Sequence, residues 1–226
     1  MIAGIDGCTG RRWIAAIDVG HGHTKIELIE SFHILLLREE LSLIVIDVPI
    51  GLMDVGDREC DKAARKLVGI RRNSVFPAPL RSMLDAVDYD DACRKRYAVE
   101  KKKCSVQLYA ILPTIREVDA QLTPGLQSRV REGHPEVSFA LLNGASPMRY
   151  TKKSPQGRDE RLSLLVRHFP DLHEQIANLS RPGVETDVVD AYALLWTARR
   201  LRDGYAKCLP ENPQYDSRGL RAEIVA

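Results

Sequence analysis

Two short apolar runs in the first fifty residues each end in an aspartate, and what lies between them narrows the fold more than any other feature. Ile2-Ala3-Gly4-Ile5 leads into Asp6, and Leu43-Ile44-Val45-Ile46 leads into Asp47. Between them, Trp13 to about Val19 reads as a second strand and Gly20-His21-Gly22-His23 as a hairpin turn. Lys25 to Glu30 alternates Ile26 and Leu28 with polar neighbours, as a half-exposed third strand should. Phe32 to Glu40 suits a short helix. A strand reached through a helical crossover runs parallel to its partner. If the Asp47 strand lies beside the first, both aspartates finish at one sheet edge, on strands about 4.8 Å apart. Ligands of open α/β sheets sit beyond that carboxyl edge.

Residues 50 to about 125 break this pattern. Asp57–Val68 and Asp88–Cys104 are charged helical stretches, separated by the proline-bearing loop Phe76-Pro77-Ala78-Pro79. A further helix is expected from Ser105 to Leu122, kinked or divided by Pro113. The segment reads as an α-helical insertion that walls an acidic cleft and brings Arg58, Arg65 or Arg81 toward it. The α/β pattern resumes at Leu126 with a short strand to Arg131 and a helix from His134 to Leu142, closed by Asn143 and Gly144. Lys152 to Arg158 is a basic loop and Asp159–His168 another helix. The last helix runs from Asp187 to about Asp203, and the tail after Gly204 shows no periodicity. The expectation is a single α/β domain over 1–226, with a mixed sheet flanked by helices and the insertion at 50–125.

At 226 residues the chain can bury one large core. Its net charge of +2 points to local patches, not a global field, for any polyanion contact. Five cysteines with no C-x-x-C spacing read as reduced thiols of a cytoplasmic protein. No apolar stretch approaches the roughly 20 residues that span a bilayer, and no signal sequence precedes the first strand.

Each carboxylate has a structural explanation by itself. Asp6-Gly7 can be a turn, Asp47 can end a strand before Pro49, and Asp187 can cap its helix. Pro135 suits a first helical position, where Glu136 favours the positive helix end. The combination says more. Asp187 and Asp190 emerge on one helical face. The helix behind them is apolar nearly all round, hence buried, and a buried carboxylate needs a partner. A divalent cation would serve, because hard ions prefer oxygen ligands. An arginine or lysine would also serve, and Arg58, Arg65, Lys152 and Arg158 are available.

Gly4-Ile5-Asp6-Gly7-Cys8 with Trp13, Ile46-Asp47-Val48-Pro49-Ile50-Gly51-Leu52, and His134-Pro135-Glu136 with Phe139 occur in that order, followed by Asp187-x-x-Asp190-Ala191-Tyr192. Together with Arg58-x-x-Asp61-x-x-x-Arg65 and Ser74-Val75-Phe76-Pro77-Ala78-Pro79, they resemble the uncharacterised family called domain of unknown function 429. The family is described as predicted nucleases with a ribonuclease H-like fold. The start of the last helix also resembles that of RuvC-type resolvases, which carries paired metal-binding aspartates. The resemblance implies a nuclease that hydrolyses phosphodiester bonds with two Mg²⁺ or Mn²⁺ ions roughly 3.5–4 Å apart. Asp6 would bridge the metals, with Asp47, Asp187 and Asp190 completing the ligands and Glu136 in a supporting or substrate-side role. Lys152, Lys153 and Arg158 could hold phosphates of a nucleic-acid partner, or form a solvated loop. Two other readings stand beside it. Asp6-Gly7-Cys8-Thr9-Gly10 is also a glycine-rich turn after a first strand, as in nucleotide or phosphometabolite enzymes of the actin and sugar-kinase branch. A binding protein that kept the fold without the chemistry is the third.

Overall fold

The structure is a computed structural model that describes every residue except Thr9, Arg11, Ser180, Arg181 and Pro182. Seven strands and eight α-helices occur among the described residues. Strands β1 (Ile2–Cys8), β2 (Arg12–Gly20) and β3 (His23–Ile29) form an antiparallel meander. Helix α1 (Phe32–Leu36) carries the chain over to β4 (Leu43–Ile46), which pairs with β1 in parallel. After β4 come α2 (Glu59–Leu67), α3 (Tyr89–Glu100) and α4 (Val106–Asp119), then β5 (Val130–Glu132), parallel to β4. The rest comprises α5 (Pro135–Leu142), α6 (Pro155–Leu165), α7 (Leu172–Ala177), α8 (Glu185–Arg202), β6 (Cys208–Tyr215) and β7 (Arg221–Val225). The sheet order β3-β2-β1-β4-β5, with β2 antiparallel to its neighbours, is compatible with the ribonuclease H-like arrangement expected from the sequence.

The sheet buries both faces. On one, α8 lies against Ile2, Ile14, Ala16 and Val45, with Phe139, Leu165 and Phe169 around it. On the other, Ile5, Trp13, Ile17, Ile44 and Ile46 meet Phe32 and Leu35 of α1 and Ile115 and Val118 of α4. Alternate residues of each strand serve the two layers, as the two-residue period requires.

Helix α8 sits unusually close. A Cβ built on Gly4 of β1 would lie 2.1 Å from the Leu195 backbone nitrogen and 2.2 Å from the Ala191 oxygen. Only glycine lets the helix backbone rest directly on the central strand. This contact fixes where the start of α8 falls relative to the end of β1.

Several expected boundaries move. Helix α8 begins at Glu185, so Asp187 is inside its first turn and does not cap it; Val184 holds the cap position without a side-chain hydrogen bond. Helix α6 begins at Pro155, which turns the second half of the expected basic loop into helix and puts Arg158 on it. Pro113 neither ends nor divides α4. The tail expected to be irregular forms the β6–β7 hairpin, bridged to the sheet where Gly133 meets Val225. Its turn is held by Asp216, which accepts from the Arg218 and Leu220 amides at 2.8 Å each. Ala222 and Ile224 then pack on Cys60, Ala64 and Val68 around α2. No helix among the described residues is long and apolar enough to cross a membrane.

Candidate active site

The ends of β1 and β4 deliver the first two carboxylates. The Asp47 amide donates to the Ile5 carbonyl at 3.0 Å, so the chain is still tied to β1 where Asp47 leaves the sheet. Asp6, buried one residue further along β1, accepts from the Gly7 amide at 2.9 Å. The Gly4 contact brings in the third, because Asp190 directly precedes Ala191, whose carbonyl touches β1. Asp6, Asp47 and Asp190 all line one cavity of about 580 Å³.

Their electrostatics are those of a crowded acidic pocket. Burial holds the Asp6 carboxyl well above the usual aspartate range, and the charges of Asp190 and Asp47 push it further. Asp190 is also raised by burial, against the pull of Lys152. Asp187, half-buried one turn earlier on α8, is raised by burial and then by Asp190, and does not line the cavity. Lys152 answers the cluster directly. Its ammonium lies 2.6 Å from Asp190 Oδ2, although its own side chain is 47% exposed. The carboxylates hold its proton more tightly than a free lysine would.

The loop carrying Lys152 is fastened from below. A Cβ on Gly157 would fall 1.9 Å from the Thr151 carbonyl, so α6 can start against this loop only with glycine there. Ser154 caps α6, its Oγ accepting from the Gly157 amide at 3.1 Å. Arg161 donates to both Glu136 oxygens, at 2.9 and 2.8 Å, and to the carbonyls of Gly157 and Tyr150. Glu136 therefore reaches the cavity wall with its charge already met by a buried guanidinium. His134 caps α5, Nδ1 accepting from the Glu136 amide at 3.2 Å, which leaves Nε2 to donate to Ser74 O.

The other expected cations lie elsewhere. Arg58, only 3% exposed, bonds both oxygens of Glu132 at 2.7 Å and sits 2.5 Å from Asp61. It is a fold contact and does not line the cavity. Arg81 pairs with Asp119 and Asp216. Arg65 donates to the Val75 carbonyl and lines a separate basic depression with Lys62, Lys66, Arg72 and Asn73. Arg158 is exposed on α6, away from the cavity wall, whereas Lys153 lies on that wall. The helical segment does contribute to the cavity, but through Ser74, Phe76, Ile111, Thr114 and Ile115. Neither Phe76 nor Ile111 stands out as a site residue in the sequence. The Phe76 loop was visible as a proline-flanked motif; Ile111, a half-exposed apolar residue in an ordinary helix, left no signal.

An oxygen-only donor set suits Mg²⁺ or Mn²⁺ by chemistry. Yet no group of three or more Asp, Glu, His or Cys stands ready-arranged around an ion among the described residues. Binding would require the Lys152 ammonium to yield Asp190. The glycine-rich turn of the phosphate-loop reading is strand through Cys8. Gly7 and Cys8 pair with Trp13 and Arg12, and Thr9 of that turn lies outside the described residues.

Compared with curated proteins and with solved structures, the chain finds no match. A family model matches residues 4–215, nearly the whole chain and every carboxylate of the cluster. The chain belongs to the family described as protein of unknown function, DUF429.

Proposed function

We propose that this protein is a divalent-metal-dependent hydrolase that cleaves phosphodiester bonds of nucleic acid at the Asp6, Asp47 and Asp190 cluster, with Asp187 supporting Asp190. One observation carries this reading: Asp6, Asp47 and Asp190 open into one cavity, and the cation bonded to Asp190 there is the half-exposed Lys152. Asp6 and Asp190, raised by burial and then by neighbouring carboxylate charge, are poised to take up a positive ion. A bound Mg²⁺ or Mn²⁺ would supply charge to polarise a phosphate and make a water more acidic.

The chain's own groups have distinct parts in this proposal. Asp6, Asp47 and Asp190 would hold the cation. Lys152 offsets the cost of burying the Asp190 charge, and with a cation bound there it would be free to meet a substrate phosphate. Lys153 adds a second positive charge at the wall. Glu136, held by Arg161, positions the start of α5 and the Lys152 loop together.

Thermal melts with and without Mn²⁺ test this, beside cleavage of single-stranded and duplex oligonucleotides. A cation at a hundred times its dissociation constant adds about 2.7 kcal/mol. In a chain of this size that raises the melting temperature by roughly 5–11 °C. Asp6→Asn should abolish both the shift and the cleavage. A parent whose melting ignores millimolar Mn²⁺ overturns the proposal.

A further inference from the structure

The cavity is chemically two-sided. Its floor is acidic, but its outer wall carries Phe76, 49% exposed, and Ile111, 38% exposed, beside Val48 and Pro49. Holding a phosphate or a metal requires none of these apolar groups, and leaving a phenylalanine half in water is unfavourable. A volume of about 580 Å³ is that of a small-molecule pocket. A paired base stacked inside a duplex cannot enter such a pocket; an unpaired or extruded one can.

A second surface adjoins it. Arg72 and Asn73 border the open basic depression, and Ser74 and Phe76, next along the chain, border the cavity. In that depression Lys66 and Arg72 are exposed, with no acidic group within 4 Å among the described residues. Phosphates can lie there while a base occupies the cavity.

From this we infer that the substrate is an unpaired nucleic-acid strand: one base stacks on Phe76 inside the cavity, and neighbouring phosphates lie on Lys66 and Arg72. The inference rests on the nuclease reading and names its substrate class. Aromatic stacking is sequence-tolerant, because every base has a π-face, so the pocket selects single strands without selecting a sequence.

Equilibrium binding separates the contributions. The parent is titrated in Ca²⁺ with labelled oligothymidylate, an abasic strand of equal length and a duplex, and each oligonucleotide is checked afterwards for integrity. The oligothymidylate should bind roughly 5- to 150-fold more tightly than the abasic strand, the value of one stacked base. Phe76→Ala should erase that preference without shifting the melt, since the side chain is half exposed, and Phe76→Trp should keep it. Lys66→Glu with Arg72→Glu should weaken both strands equally and flatten the salt dependence by about 1.4 logarithmic units per decade, for two lost phosphates. Equal binding of the abasic strand, a preference that survives Phe76→Ala, or a duplex bound as tightly as the single strand overturns the inference. If the parent's melt still rises with Mn²⁺, the metal site outlives that failure. If the parent binds no oligonucleotide and ignores Mn²⁺, both readings fall together.

Discussion

Two buried carboxylate groups in this protein have opposite characters. Around Arg58, the carboxylates of Asp61 and Glu132 share one guanidinium, and further bonds run to Ile50 O, the Ile50 amide and the Ala78 amide. Every charge there has a short, fixed partner. Burial still pushes Glu132 up to about 7, against the pull of Arg58, and the Asp61 charge adds to the rise. Around Asp6, the carboxylates of Asp6, Asp47 and Asp190 face a cavity, and the cation bonded to Asp190 is a half-exposed lysine on a loop. The first group is closed and ties α2 to β5 and the loop after β4. The second is open and its charge is unfinished. Sequence alone offered Arg58 as a partner for the acidic cluster; the fold spends it on the closed group.

The comparison breaks most readily at Arg58. Arg58→Met leaves two buried acids without their cation and should cost about 3–5 kcal/mol. For a chain of this length that is a fall of roughly 6–20 °C in the melt. A loss below 1 kcal/mol would mean that the closed group is not what holds α2 in place.

Gly4→Ala comes next. The new methyl meets helix backbone, which cannot move alone, so about 1–3 kcal/mol should be lost as α8 shifts away from β1. Because Asp190 travels with that helix, the Mn²⁺ response should drop as well. A normal melt in Gly4→Ala would show that the helix contact is looser than its geometry.

Asp6→Asn should act in the opposite direction to Arg58→Met. In metal-free buffer it should raise the melting temperature, by less than either loss above, since a repelled and buried charge has gone. The sign follows from the raised carboxyl. A group whose folded pKa is raised stabilises the fold at low pH, and that contribution is lost as pH rises through the raised value. The variant's advantage should therefore vanish near pH 3, grow above the ordinary aspartate value of about 3.9, and level off beyond the raised one. Chemical denaturation across pH measures it, and an advantage that persists at pH 3 would assign the effect to packing.

Lys152→Met should have the smallest effect on stability, at most about 1 kcal/mol, because the lysine is half in water. Mn²⁺ titration is the sharper readout. With the competing ammonium gone, Mn²⁺ should bind more tightly. Weaker Mn²⁺ binding would show that Lys152 organises Asp190 instead of standing in for a cation.

The amino-acid pattern alone already decides the sheet and the carboxylate ends of its strands. Period-two alternation, a glycine-bounded hairpin and a helical crossover leave few ways to arrange β1 to β4, and apolar runs that stop at Asp6 and Asp47 mark the shared edge. The all-round apolar character of α8 likewise announces burial. The C-terminal hairpin was less legible. Pro210 and Pro213 in β6 mask its strand character, although the Asp216–Gly219 turn was a signal that could have been used.

What only the tertiary structure decided is which cation answers which acid. Segments such as α2, α4, β5 and α6 carry arginine or lysine next to an acid, so the sequence leaves the partners open, and the pairings span long separations. Glu132 lies 74 residues from Arg58, and Asp190 lies 38 from Lys152. Coulomb attraction depends on distance and on burial, and neither is fixed until Gly4 admits α8, Gly157 admits the Lys152 loop, and the sheet closes over Arg58.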